Sequence, residues 1–265
     1  LGTHPMTQDM HPRLGDPGTG VIITGGASGI GFASARALAA VGRPVAIWDI
    51  NGEAAHEAAQ RLKAEFDVPV AATAIDLRDP AALGPALDAA RKALPSLGAL
   101  AYCAGVGRSA GVREVGLEEW DSMIAVHARG LMFLVQAMIP DFVANTGSAV
   151  VAISSINAHL GAANVPAYSA AKGAVSSLVR SLADDLARDG VRINAIAPGF
   201  IDTPMIQRVK QADISGKIAG RILLGRLGQP EEIGCVVRFL LSGEASYVTA
   251  AEILVDGGNV TSQRS

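Results

Sequence analysis

The chain has 265 residues, 49% of them hydrophobic and only 4% aromatic, with 30 glycines and a formal net charge of −3. The length allows one large domain, and the composition suits a buried sheet covered by alanine-rich helices. With no sustained basic or acidic block, nothing points to nucleic acid or an anionic membrane surface as partner.

Residues 1–17, rich in Pro, Gly, His and Asp, lack the apolar stretch of a signal peptide and read as a disordered arm or a non-native remnant, with Met6 or Met10 a candidate start. From residue 20 onward, short β-branched runs alternate with longer alanine-rich amphipathic segments, the pattern of repeated βαβ units. The runs predict strands at 20–24, 44–48, 70–74, 99–103, 148–153, 192–196 and 252–255, and helices at 29–42, 52–66, 80–94, 117–145, 166–189 and 230–242. The intervening segments are long enough for helical crossovers, so the strands should be parallel within one domain spanning 18–265. The stretch 200–228 has no clear strand and reads as a helical excursion beyond a strand end, a candidate substrate lid. No uninterrupted apolar run approaches the length of a bilayer. Cys103 and Cys235 lie in apolar segments without metal-ligand spacing, as expected of reduced core thiols in a cytoplasmic protein.

The first predicted strand leads through Thr24-Gly25-Gly26-Ala27-Ser28-Gly29-Ile30-Gly31 into a helix. Glycines there let the backbone turn and approach a pyrophosphate at the helix N-terminus, although such turns also serve tight strand-to-helix packing. The second strand ends at Asp49, 18 residues after Gly31, where a dinucleotide fold places an acid on the adenosine ribose. Asp49 would accept from both ribose hydroxyls and repel a 2′-phosphate, and neither Ser28 nor Ile50 supplies a cation, so NAD is favoured over NADP. The alternative is that Asp49 caps the helix beginning near Asn51. Asp76-Leu77 can meet the adenine edge, or Asp76 can be a plain turn acid.

Tyr168 and Lys172 stand four apart in Tyr-Ser-Ala-Ala-Lys, on one face of a predicted helix. An ammonium beside a phenol favours phenolate, drawing a pKa that starts near ~10 toward the working pH. Such a phenol can exchange a proton with an alcohol or carbonyl while a nicotinamide exchanges the hydride. Ser155, after the fifth strand, can stabilise a developing alkoxide; Ser154 is its rival, with a cap as its plainer role.

Together these motifs resemble the short-chain dehydrogenase/reductase family over residues 18–260. The matching pieces are Thr-Gly-x-x-x-Gly-x-Gly at 24–31, Asp76, Cys103-Ala104-Gly105 where the family usually has Asn-Ala-Gly, Ser155, Tyr168-x-x-x-Lys172, and Asn194 through Pro198-Gly199. The resemblance implies an α/β, doubly wound Rossmann-type domain with seven parallel strands ordered 3-2-1-4-5-6-7, helices on both faces, and commonly a homotetramer. It implies Tyr168 as acid/base, Lys172 holding the nicotinamide ribose and lowering the Tyr168 pKa, and Ser155 on the substrate oxygen. Cofactor contacts are implied at Gly25, Ser28, Gly29, Ile30 and Gly31, at Asp49, Asp76 and Leu77, and at Cys103, Ala104 and Gly105. Pro198, Gly199, Ile201 and Thr203 would flank the nicotinamide and its carboxamide.

Two departures stand out. His127 occupies a position where the family commonly has an Asn that holds a proton-passing water. An imidazole with a near-neutral pKa could bind that water or relay the proton itself, or be a packed core histidine. Tyr102-Cys103 replaces two asparagines that brace the central sheet. The substrate-facing segments 105–110, 156–161 and 200–221 mix small and aliphatic residues with Arg108, Arg113, Asn157 and His159, without a dense cationic cluster. That lining suits a neutral secondary alcohol or ketone. His159 could bond substrate or stand exposed on its loop. The run 225–232 also resembles a segment of 3-oxoacyl-carrier-protein reductases, an alternative enzyme reading. An NAD-binding regulator without turnover is the alternative of another class, whereas a zinc-dependent dehydrogenase lacks the clustered His, Cys and acids it needs.

Overall fold

The computed structural model describes residues 11–206 and 219–261. Within them, seven short runs form strands β1 (Gly20–Thr24), β2 (Val45–Asp49), β3 (Val70–Ala74), β4 (Leu97–Tyr102), β5 (Ala149–Ile153), β6 (Arg192–Pro198) and β7 (Glu252–Val255). They make one parallel sheet in the order β3-β2-β1-β4-β5-β6-β7, as the resemblance implies. Because side chains alternate across a strand, Ile22 joins the apolar cluster on one face while Val21 and Ile23 join the other. Both faces are covered, which is why β1, β4 and β5 read as continuous apolar runs.

Helices α1 (Gly29–Ala39), α2 (Gly52–Glu65) and α7 (Pro230–Leu240) cover one face; α3 (Leu83–Ala93), α5 (Gly130–Ala144) and α6 (Pro166–Arg188) cover the other. In α1, Gly31, Ala35 and Leu38 recur at helical spacing and are buried. Gln229-Pro230-Glu231-Glu232 starts α7 with a capping box and Pro at the first turn. A Cβ at Gly234 would lie 2.6 Å from the Ala33 carbonyl oxygen, so glycine there lets α7 sit directly on α1.

Three expectations are corrected. The single helix expected over 117–145 is α4 (Leu117–Ile124), a π turn (Ala125–Arg129) and α5. The Tyr102 hydroxyl reaches up from β4 to donate to the Val126 carbonyl at 2.5 Å, and only a glycine at 130 leaves room for that hydroxyl. The combined run 117–144 is, at 28 residues, long and apolar enough to cross a bilayer by length and composition alone, although Glu118, Glu119, Asp121, Arg129 and Asp141 interrupt it, as expected. It instead covers β4 and α6, with 56% of its most apolar window buried. The segment 80–94 opens with a 3-10 turn (Pro80–Ala82) before α3, because the Asp79 carboxylate takes the Ala81 N–H. Cys235 is exposed: Ile233, Val237 and Leu240 define the inward face of α7, and 235 falls opposite.

Of the expected arm, residues 1–10 lie outside those described, while Arg13 is bound to the chain's far end. Its backbone N–H donates to Glu244 and its guanidinium to the Gly243 carbonyl, each at 2.9 Å. Of the expected lid, 207–218 lie outside the described residues; its two ends meet where Ile201 bridges to Gly228.

Candidate active site

The carboxyl ends of β1 to β4 converge on the glycine-rich turn. Gly25 and Gly29 adopt left-handed φ values of 63° and 51°. A Cβ at Gly25 would lie 2.8 Å from the Ala104 Cα, and one at Gly31 would overlap the Gly25 carbonyl. Thr24 fastens the two loops, its hydroxyl accepting from the N–H groups of Cys103 and Ala104 at 3.1 Å each. Ser28 is the N-cap of α1, but its side chain makes no cap bond and the first turn, with Ile30 and Gly31, carries no acid. The leading N–H groups are thus left for an anion.

Asp49 accepts from the N–H of Ala27 at 3.2 Å and of Asn51 at 3.1 Å. The cap of α2 is Asn51, bonded to the Ala54 N–H at 3.1 Å, so the helix-cap alternative for Asp49 does not hold. Asp49, Asp76, Leu77, Gly25, Ala104 and Gly105 border one cavity of about 190 Å³, walled by Trp48, Ile50 and Ile75. A glycine cradle, a helix start without acid and an apolar slot with a carboxylate at its rim fit a dinucleotide. At the other end, a Cβ at Gly29 would touch Thr203 at 3.4 Å, and one at Gly199 would lie 2.8 Å from Asp256. The turn after Pro198, including buried Ile201, therefore closes over the same glycine loop.

Ser155 ends β5 and accepts the Asn157 N–H at 3.1 Å, opening a 3-10 turn (Ile156–Ala158). Ser154 is committed elsewhere: its hydroxyl lies 2.7 Å from that of Ser176, which donates to Glu252 at 2.7 Å. Glu252 also pairs with His159 at 3.2 Å, and His159 stands exposed at the end of its turn, one of the two expectations for it. Tyr168 and Lys172, one turn apart on α6, face Ser155 and the β5 end. Burial raises the Tyr168 pKa, and the Ser155 hydroxyl partly offsets the rise. Lys172 follows one helical turn along α6. Its Nζ donates to the Ile153 carbonyl at 2.7 Å, lies 5.6 Å from the Tyr168 ring centre, and burial pushes its own pKa down to about 7.

His127 sits on the π turn with its ring edge-on to Tyr168, centres 5.6 Å apart. Its Nε2 faces the Val106 backbone, 2.9 Å from the carbonyl oxygen and 3.2 Å from the N–H, so either tautomer finds a partner there; Nδ1 is buried without a partner among the described residues. Burial, and then the charge of Lys172, push its pKa down to about 3. The near-neutral titration expected of it is therefore corrected: this imidazole is neutral at working pH.

A family model described as Enoyl-(Acyl carrier protein) reductase matches residues 25–259. The chain belongs to the short-chain dehydrogenase/reductase family. It is 36% identical over 238 residues to the cis-4-hydroxycyclohexanecarboxylate dehydrogenase of Sinomonas cyclohexanicum, covering 89% of this chain and 94% of that protein. To the cyclopentanol dehydrogenase of Comamonas sp. (strain NCIMB 9872) it is 34% identical over 244 residues, 90% of this chain and 95% of that protein. A crystal structure of a short-chain type dehydrogenase/reductase from Mycobacterium marinum matches with a TM-score of 0.87 at 27% identity, over 92% of this chain and 96% of that one. This short-chain dehydrogenase/reductase is accordingly a nicotinamide-dependent oxidoreductase acting on CH–OH groups.

Sequence reasoning missed Arg78, Trp48 and Ser122, which also border this cavity, as does Val106 from the segment expected to face substrate. It missed Thr24 as the fastener of the two loops and the Glu252–Ser176–Ser154 chain behind Ser155. Arg108 pairs with Glu119 at 3.7 Å on an exposed surface, away from any cationic cluster.

Proposed function

We propose that this enzyme uses NAD to interconvert a neutral alicyclic secondary alcohol and its ketone, with Tyr168 as the acid/base. The observation that carries the reading is the convergence of Ser155, Tyr168 and Lys172 at the β5 end, on the same sheet edge as the glycine turn and Asp49. Gly25, Ser28, Gly29, Ile30 and Gly31 would cradle the pyrophosphate, Asp49 the adenosine ribose, and Cys103 to Gly105 the other side of the slot. Pro198, Gly199, Ile201 and Thr203 would hold the nicotinamide end. When bound, the nicotinamide supplies the hydride acceptor or donor.

The protein's own part is proton handling and alignment. Ser155 donates to the substrate oxygen and Tyr168 moves the proton at its phenol oxygen. Burial keeps that phenol protonated, so alcohol oxidation needs help from Ser155 and from a protonated Lys172. Val106, Leu160 and Met205, each partly exposed beside these loops, would give a small apolar ring its walls. The related proteins named for cyclopentanol and a hydroxycyclohexane acid support that class. By family habit an NAD enzyme of this kind runs toward the ketone. The exposed apolar side chains Leu117, Phe133 and Val143 on α4 and α5 suit packing against further copies, in keeping with a homotetramer.

The family model's description favours a second reading, a carrier-protein reductase. Two of the arginines that could meet an acidic carrier are already paired, Arg226 with Glu232 and Arg108 with Glu119. The test is turnover followed at 340 nm with NAD or NADP and a panel of cyclic alcohols. Tyr168→Phe should remove nearly all activity while NAD binding stays close to wild type; retention of a tenth of the rate or more would defeat the assignment.

A further inference from the structure

The nucleotide cavity holds an arginine that the proposed chemistry leaves without a task. Arg78 stands on the turn after β3, and Asp76 fixes its guanidinium: Nε donates to both carboxylate oxygens at 3.0 Å and Nη2 to Oδ2 at 2.6 Å. The backbone is held as well. The Arg78 N–H donates to Asp76 at 2.9 Å, and the Arg78 carbonyl accepts from Arg129 at 2.8 Å. A side chain about half exposed is thereby pinned at both ends, where an arginine ordinarily keeps considerable rotamer freedom.

That geometry decides what Arg78 has left to offer. Its donor edge toward Asp76 is engaged and its charge is largely compensated there, which makes it a poor seat for a phosphate. No aromatic ring among the described residues stacks on its flat face, and guanidinium faces stack on planar aromatic groups. Across the same cavity, Ile50 and Leu77 give apolar walls. Trp48 is fully buried at its border, with an indole N–H that has no acceptor among the described residues. A purine is flat and apolar on its faces, and so answers both the guanidinium face and the apolar walls.

We propose that Arg78, locked in orientation by Asp76, is a specificity-determining residue of the nucleotide site that stacks its guanidinium on the adenine ring. The inference rests on the dinucleotide reading of this cavity and deepens it. Asp76 then serves as a positioning residue acting through Arg78, with both carboxylate oxygens already accepting from it.

Binding, not turnover, tests this. Affinities for AMP, nicotinamide mononucleotide and adenosine 2′,5′-bisphosphate are measured by calorimetry on the full chain, wild type beside Arg78→Ala and Arg78→Lys. Lysine keeps the charge and loses the plane, so both variants should bind AMP roughly fivefold to tenfold more weakly, with nicotinamide mononucleotide unchanged. Arg78→Lys remains informative if Arg78→Ala does not fold. AMP affinity at the wild-type level in Arg78→Lys would mean that charge alone matters, and would overturn the stack. Loss confined to the 2′,5′-bisphosphate would make Arg78 a phosphate ligand and overturn it too. A wild-type protein that binds none of the three would instead remove the nucleotide reading on which the inference stands.

Discussion

Replacing Gly130 with alanine should destabilise this enzyme, although alanine is the better helix former by about 1 kcal/mol. A Cβ at 130 would overlap the Tyr102 hydroxyl oxygen and approach the carbonyls of Ala125 and Leu77 to 3.3 Å. Overpacking of this kind costs roughly 1–3 kcal/mol, so the net loss should be up to about 2 kcal/mol. For a chain of this size that is a fall in Tm of up to roughly 8 °C. Tyr102→Phe alone leaves the buried Val126 carbonyl without its donor and should cost about 1–3 kcal/mol. In that background the obstructing oxygen is gone, so Gly130→Ala should become neutral or stabilising. The assay is a four-member cycle of melting curves at one protein concentration, since association would shift Tm by itself. A Gly130→Ala effect of the same sign and size in both backgrounds would refute the reasoning, as would stabilisation in the wild type.

Two further outcomes follow from the site. Asp49→Asn should narrow the proposed preference for NAD over NADP, because the carboxylate that would repel a 2′-phosphate is removed; an unchanged ratio of dissociation constants would place discrimination elsewhere. His127, with a pKa of about 3 folded and near 6.5 unfolded, makes stability fall as pH drops from about 6.5 toward 3, because only the unfolded chain takes up its proton. His127→Asn should remove about one proton from that slope, or ~1.4 kcal/mol per pH unit, in urea titrations at pH 4.5 and 6; parallel curves for the two proteins would contradict it.

The fold was legible because its signals are local. β-branched runs of four to six residues separated by alanine-rich segments admit few arrangements other than a parallel sheet with crossovers. The π turn was not legible, since nothing in Ala125 to Arg129 announces it; it answers to Tyr102, which arrives from β4. Tyr168 and Lys172 could be paired by helical spacing, but spacing carries no information about burial. Desolvation raises the phenol pKa and lowers the amine, opposite to the mutual charge effect expected in water. Arg78 escaped notice for a similar reason. An acid and an arginine two apart in a turn read as a solvated surface pair, and only the sheet order sets that turn beside Asp49.

The two departures from the family pattern are better understood as one rearrangement than as two substitutions. Tyr102 fills the space under the π turn and satisfies the Val126 carbonyl, so a phenol does the bracing expected of an asparagine. One residue on, His127 extends toward Val106 and bonds its backbone, tying the β4–α4 loop to the same turn. Each bulky newcomer fits against a glycine, Tyr102 against Gly130 and His127 against Gly105, where a Cβ would lie 2.7 Å from the imidazole Cε1. Gly105 borders the nucleotide cavity, and the imidazole stands edge-on to Tyr168. The rearranged turn thus touches both halves of the site, and changes at Gly105 or Gly130 should register in cofactor affinity as well as in stability, whereas a brace confined to the sheet interior would register only in the second.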